Sequence, residues 1–171
     1  MTPQSFADLY DVHYPRVFRY LVGRLHSAQI AEELAAEVFA VALSALHKGT
    51  QPRQVGSWLF GIADHLASRY WRRHRVEESV AEPEAAEEQD PEEIALGRME
   101  SAKLWDCMNE LTAEHRQVLL LRIVAGLSAR EVGEVMERTE EAVRSLQFRA
   151  LATLRQLWKE ASPRGRASSA E

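Results

Sequence analysis

A single cysteine, Cys107, leaves the chain without an internal disulfide. Leu104, Met108 and Leu111 surround it at helical spacing, which reads as a buried thiol, and a reducing cytoplasm suits such a chain. No apolar run is long enough to cross a bilayer and no stretch has the make-up of a signal peptide, so neither membrane insertion nor export is expected. No segment alternates apolar and polar residues as a strand would. The six histidines are scattered, none stands at zinc-ligand spacing with Cys107, and no glycine-rich loop follows a strand. No catalytic set, metal site or cofactor cradle is therefore expected, and an enzyme is the least favoured class.

What is present is helix. At 171 residues with 46% apolar content, the chain has material for one packed domain or two small ones. Its net charge of −5 divides unevenly. Residues 1–75 carry +3, residues 76–93 carry −9 with no basic residue, residues 94–158 are neutral, and the last thirteen carry +1. The whole-chain figure thus reports one acidic segment and does not argue against basic patches elsewhere. Arginine outnumbers lysine eighteen to three, a ratio that fits a GC-rich bacterial genome.

Taken in order, the first seventy-five residues predict three helices. Phe6, Leu9, Tyr14, Val17, Phe18 and Leu21 belong to a broad apolar stripe, with Ser5 as a possible cap and Pro15 predicting a break or kink near Tyr14. Ser27 caps a second stretch carrying Ile30, Leu34, Val38, Val41, Ala42 and Ala45. A Gly/Pro-marked loop, His47–Arg53, leads to a third with Val55, Trp58, Leu59, Ile62 and Leu66. That third helix closes on Arg69, Arg72, Arg73 and Arg75, interleaved with Tyr70, Trp71 and His74. Cations beside flat rings suit a nucleic-acid strand, although a solvated basic helix end that satisfies its own last carbonyls is the commoner meaning of such a run. Residues 76–93 are acidic and interrupted by two prolines, which predicts a flexible linker.

Beyond the linker, Ile94–Leu111 and Thr112–Ala125 read as helices, and Trp158 is placed to close their core. The strongest local signal follows. Ser128 and Glu131 form a capping box, flanked by Leu127 and Val132 as a hydrophobic staple. This helix should end near Met136; Glu137 and Arg138 turn, and Thr139 caps the next helix, with Glu140 and Glu141 in its first turn. Val143, Leu146, Ala150, Leu151 and Leu154 make one side of that helix apolar, and Gly133 permits close approach. Two short helices and a tight turn describe a helix-turn-helix, although an ordinary helical hairpin has the same periodicity. The outer face carries Arg138, Arg144, Ser145, Gln147 and Arg149, types that read purine edges or hold phosphates.

Several ordered blocks carry a family likeness: FADLYDVHYPRVFRYL, AEELAAEVFAVAL and GSWLFGIADHLASRYWRR in the first half, LTAEHRQVLLLRIVAGLSAREVGEVM and AVRSLQFRALATLR in the second. On these the chain resembles the extracytoplasmic-function sigma factors, the smallest sigma-70-type initiation factors. The resemblance implies an all-α protein of two small helical domains: a region 2-like bundle (1–75) and a region 4-like helix-turn-helix domain (94–158), joined by the acidic linker (76–93) and followed by a disordered tail (159–171). It also implies a division of labour. Glu33, Leu34, Glu37, Val38 and Val41 would dock on the β′ coiled coil of core RNA polymerase, though the apolar members fit a core equally well. Lys48, Arg53, Trp58, His65, Arg69, Arg72 and Arg73 would handle the −10 element, where an unpaired base is captured. Arg138, Glu141, Arg144, Ser145, Gln147 and Arg149 would read or grip the −35 duplex. The polymerase β flap, promoter DNA and an anti-sigma factor are the implied partners, with no cofactor.

The chain departs from the family pattern in places. Glu33 and Ala36 stand where Asp and Gln are usual, His65 where Asn is common, Arg69 where Asp is common, and Leu146 where Arg is common. Two other readings share the residues. A conventional regulator would touch DNA through 94–158 alone, as a dimer on a palindrome. A sigma-like interaction module would bind polymerase or a partner without promoter-dependent transcription.

Overall fold

A computed structural model describes residues 3–74 and 91–162, with side chains over 5–74 and 100–162. Arg75, most of the acidic segment and the tail beyond Ser162 lie outside the described residues. The elements are α1 (Pro3–Leu25), α2 (Ala28–His47), α3 (Val55–His74), α4 (Pro91–Glu110), α5 (Ala113–Leu119), a π-helical turn (Leu120–Val124), α6 (Ala129–Met136) and α7 (Glu140–Ala161). The protein is all-α, as the sequence predicts, with no strand among the described residues.

The described residues fall into two compact units, one of 3–74 with 120–144 and one of 91–119 with 145–162. The first unit is built on α1, α2 and α3. Ala31, Ala35 and Ala42 are fully buried along one side of α2, and such small residues let neighbouring helices approach closely. Val17, Leu21, Val38, Leu59 and Phe60 fill the space they leave, with Tyr20 meeting Phe60 edge-on at 5.5 Å. One polar cluster is sealed into this core. The Tyr20 hydroxyl donates to Asp64 at 2.8 Å, and Arg24 donates to the same Oδ1 at 3.0 Å and to Ser68 at 3.2 Å. Burial, and then the Asp64 carboxylate, push the Tyr20 hydroxyl well above its usual range, so it stays a donor.

Local signals explain most helix ends. Ser27 accepts from the Ile30 amide at 3.3 Å, and Thr112 from the His115 amide at 3.2 Å. Arg116 reaches back to the carbonyls of Met108, Asn109 and Leu111 at and just beyond the end of α4. In the second unit Cys107, Met108 and Leu111 are buried as expected, and Lys103 lies 3.9 Å over the half-buried Trp158 ring.

Four expectations are corrected. Ser5 does not cap α1, which starts two residues earlier at Pro3, a position that suits proline's fixed φ and missing N–H. Pro15 does not break α1. It lies inside a continuous 23-residue helix on the exposed side, where solvent can take the carbonyl that its missing N–H leaves free. Leu104 is 45% exposed and stands apart from the buried cluster. Thr112–Ala125 is not one α-helix: it widens after Leu119 into a π turn, in which the Ala125 amide bonds the Leu120 carbonyl at 2.8 Å.

Candidate nucleic-acid interface

The helix-turn-helix forms from its own local chemistry. Ser128 Oγ accepts from the Glu131 amide at 3.2 Å while Glu131 accepts from the Ser128 amide at 2.7 Å, which closes the capping box. Leu127 and Val132, the two staple residues, are both buried. Glu137 then adopts the left-handed conformation (φ 55, ψ 46) and the Arg138 amide returns to the Gly133 carbonyl at 2.9 Å. A Cβ on Gly133 would sit 2.5 Å from the Arg138 carbonyl oxygen. The glycine is therefore needed for the turn itself. Thr139 accepts from the Ala142 amide at 3.2 Å and starts α7.

On α7, Val143, Leu146 and Ala150 are buried. Glu141, Arg144, Ser145 and Arg149 are exposed on the opposite side, Arg138 is exposed in the turn, and Gln147 is half-buried at the boundary. Arg144 pairs with Glu140 one turn back at 2.5 Å, an exposed contact that a phosphate or base edge could replace at little cost. Phe148, three residues beyond Ser145, is 76% exposed on this face. The spacing alone could have found it, since it continues the series 141, 144, 145, 148. Its apolar character instead points toward a core.

On α3, Trp58, His65, Arg69 and Arg72 recur at helical intervals of seven, four and three, which places them along one stripe, and Arg73 lies four residues beyond Arg69 at its edge. His65, Arg72 and Arg73 are exposed, Trp58 is half-buried, and Lys48 and Arg53 are exposed in the preceding loop. Arg69 meets Glu37 at 2.6 Å, so the structure pairs a residue expected at the −10 element with one expected at polymerase. The three interleaved rings are not equally available. Trp71 donates its indole N–H to the Arg24 carbonyl at 2.8 Å, a bond to the bundle, while Tyr70 stacks on His74 at 4.1 Å.

On α2, Glu33 and Val41 are exposed, and Leu34 and Glu37 are half-buried, spaced three and four apart along one stripe. Val38 is the exception. It is fully buried, because one residue beyond Glu37 the helix has turned about 100° into the bundle. Its place is the core, the alternative that its residue type left open.

No cluster of histidine, cysteine or carboxylates among the described residues could hold a metal ion. No described helix is long and apolar enough to cross a membrane.

Comparison with known proteins places these features in a family. The sequence family described as Sigma-70 region 2 matches residues 9–77, and Sigma-70, region 4 matches residues 107–156. The chain is 33% identical over 168 residues to the ECF RNA polymerase sigma factor ShbA of Streptomyces griseus, covering 90% of this chain and 87% of that one. It is 34% identical over 158 residues to the ECF RNA polymerase sigma factor BldN of Streptomyces coelicolor, covering 90% of this chain but spanning only 60% of BldN's length. Among solved structures, the sigma factor RpoE of Bartonella quintana, crystallised with the anti-sigma factor NepR, shares the fold with a TM-score of 0.72 at 19% identity, over 91% of this chain and 98% of that one.

Proposed function

The chain belongs to the extracytoplasmic-function sigma factors of the sigma-70 family, and from that premise we propose that it is a dissociable promoter-specificity subunit of bacterial RNA polymerase. It performs no chemistry of its own. The observation that carries the reading is the exposed, cation-bearing side of α7 behind a fully capped helix-turn-helix, in the same chain as a second exposed cationic stripe on α3. Arg138, Arg144 and Arg149 grip phosphate or pair with guanine, Glu141 accepts from cytosine, and Ser145 and Gln147 add hydrogen bonds at the −35 element. Lys48, Arg53, Trp58, His65, Arg69, Arg72 and Arg73 act at the −10 element, where cations hold the backbone as the strands part. Glu33, Leu34, Glu37 and Val41 face the β′ coiled coil of core polymerase, and the helix-turn-helix domain meets the β flap.

Each DNA contact alone is weak, and polymerase makes the second one intramolecular by fixing their spacing. An anti-sigma factor that covers the polymerase-facing surfaces holds the protein in check in the cytoplasm. Run-off transcription with purified core polymerase, followed by mapping of start sites, tests this directly. Discrete starts that share −35 and −10 sequences, lost in Arg144→Ala and Arg72→Ala, are the expected result. Promoter binding without polymerase at undiminished affinity, unaffected by Glu37→Ala, would overturn it in favour of a conventional regulator.

A further inference from the structure

A glycine inside a helix destabilises it relative to alanine, because the unfolded chain has more freedom to lose and no side chain packs in return. Several glycines here have an evident reason to be present. Gly49 (φ +93) and Gly126 (φ +66) adopt left-handed backbone, and Gly133 admits the Arg138 carbonyl oxygen. Gly56, in the first turn of α3, lies against α6: a Cβ there would be 3.6 Å from Leu127 and from the Glu131 carboxylate, beside the bond in which Ser57 donates to Glu134 at 2.8 Å. Arg16 of α1 reaches the same stretch, donating from Nε to the Ala125 carbonyl at 2.9 Å. Gly61 has no such reason. It lies in the interior of α3, and a Cβ there would meet no atom within 4 Å beyond its chain neighbours and its own helix backbone.

The position of this bare backbone is informative. Gly61 comes three residues after Trp58 and four before His65, so it stands on the stripe that continues to Arg69 and Arg72. That stripe is not uniform, because its cations are confined to the second half of the helix. The neighbours of Gly61 at three and four residues are Ser57, Trp58, Asp64 and His65, none of them a permanent cation. The Asp64 carboxylate is committed to Tyr20 and Arg24 at 2.8 and 3.0 Å, and Ser57 to Glu134. What remains around Gly61 is a half-buried indole, an exposed imidazole and helix backbone. A phosphate has little to hold it there. A flat, uncharged ring has more. Trp58 and His65 are two helical turns apart, about 10.5 Å along the axis, and a base with a stacking partner on each side needs about 7 Å, twice the ~3.4 Å rise of a nucleic-acid stack.

We propose that Gly61 keeps open a notch between Trp58 and His65, in which one unpaired base of the parted strand lies flat against the backbone of α3. This base site is separate from the phosphate-holding arginines of the same helix. It deepens the −10 reading and rests on it. The missing side chain is then the functional feature: helix stability is given up at the one point where the ligand has to approach the backbone closely.

The test uses Gly61→Ala in the full chain, with Gly61→Ser as a second way to fill the notch. Since the new Cβ enters open space and alanine favours helix, the urea midpoint of the free Gly61→Ala protein should hold or rise. The DNA probe is a fork junction, single-stranded on the non-template side through the −10 element of a promoter mapped by run-off transcription. With core polymerase, both variants should bind it roughly five- to tenfold more weakly than the unaltered chain, read by fluorescence anisotropy. An abasic nucleotide placed at each −10 position in turn then identifies the seated base: at one position, and only there, variant and unaltered holoenzyme should become equal. A merely structural effect would persist at every position, and that result would overturn the notch. So would a Gly61→Ala holoenzyme that binds the fork undiminished, or a urea midpoint that falls, since the glycine would then be needed by the fold. An unaltered holoenzyme that ignores fork DNA sinks the sigma reading and the notch with it, whereas indifference to Gly61→Ala in a holoenzyme that does bind sinks the notch alone.

Discussion

The indole of Trp71 spans 47 residues of chain to reach the Arg24 carbonyl, while its neighbours Arg72 and Arg73 face solvent. One short basic-aromatic run thus serves two masters, and substitution should separate them. Trp71→Phe keeps an aromatic side chain but removes the N–H and part of the indole's volume, which should lower unfolding free energy in urea by at least about 1 kcal/mol. Arg72→Ala should leave the urea midpoint unchanged and impair strand opening at the −10 element, read as permanganate reactivity of unpaired thymines. His13 offers a different handle. Its Nδ1 is buried with no hydrogen-bond partner, and burial, then the nearby Arg16 charge, hold its pKa below the ordinary histidine range. The unfolded chain therefore takes up the proton first, so stability is retained above pH ~6.5 and lost as pH falls below it. Melting temperature should drop between pH 7.5 and 5.5, and His13→Gln should flatten that slope. At this scale the residue types on the exposed cationic sides of α3 and α7 were readable, because outward arginines recur at helical spacing. Arg16 and Glu134 were not, because nothing local tells a charged side chain that its partner lies 77 or 109 residues away.

Elements whose signals are local emerged from the sequence nearly whole. Ser27, Ser128 and Thr139 each bond an amide three residues on, so the cap and its target sit in one short window. Pro15 and the π turn show the limit of that logic. Whether proline breaks a helix depends on which way its freed carbonyl faces, and a π turn follows from how Leu120 and Leu121 must both be buried, which is decided by packing. Gly133 makes the same point in energetic form. In an exposed helix Gly→Ala gains up to about 1 kcal/mol, yet here the new Cβ would meet the Arg138 carbonyl at 2.5 Å. Gly133→Ala should instead destabilise by about 1–3 kcal/mol in thermal or urea unfolding, and should weaken −35 binding by holoenzyme because the turn re-aims α7.

For the molecule as a whole, the −9 of residues 76–93 decides the sign of the net charge, although residues 1–75 carry +3. Replacing six of those carboxylates by glutamine should raise non-specific duplex binding of the free protein several-fold at low salt, measured by fluorescence anisotropy, with the gain disappearing as ionic strength rises. The all-α class and the family were legible at this level because ordered blocks survive along nearly the full chain, whereas the packing of α6 beside α3 was not, since helical period says which side of a helix is buried and not what buries it. One last contact has a practical corollary. Arg69 stands where related factors commonly carry an aspartate, and Glu37 at 2.6 Å balances it. A hybrid that grafts another factor's third helix onto this α2 would face carboxylate with carboxylate, so the two positions have to be exchanged together for a domain-shuffled promoter reader to work.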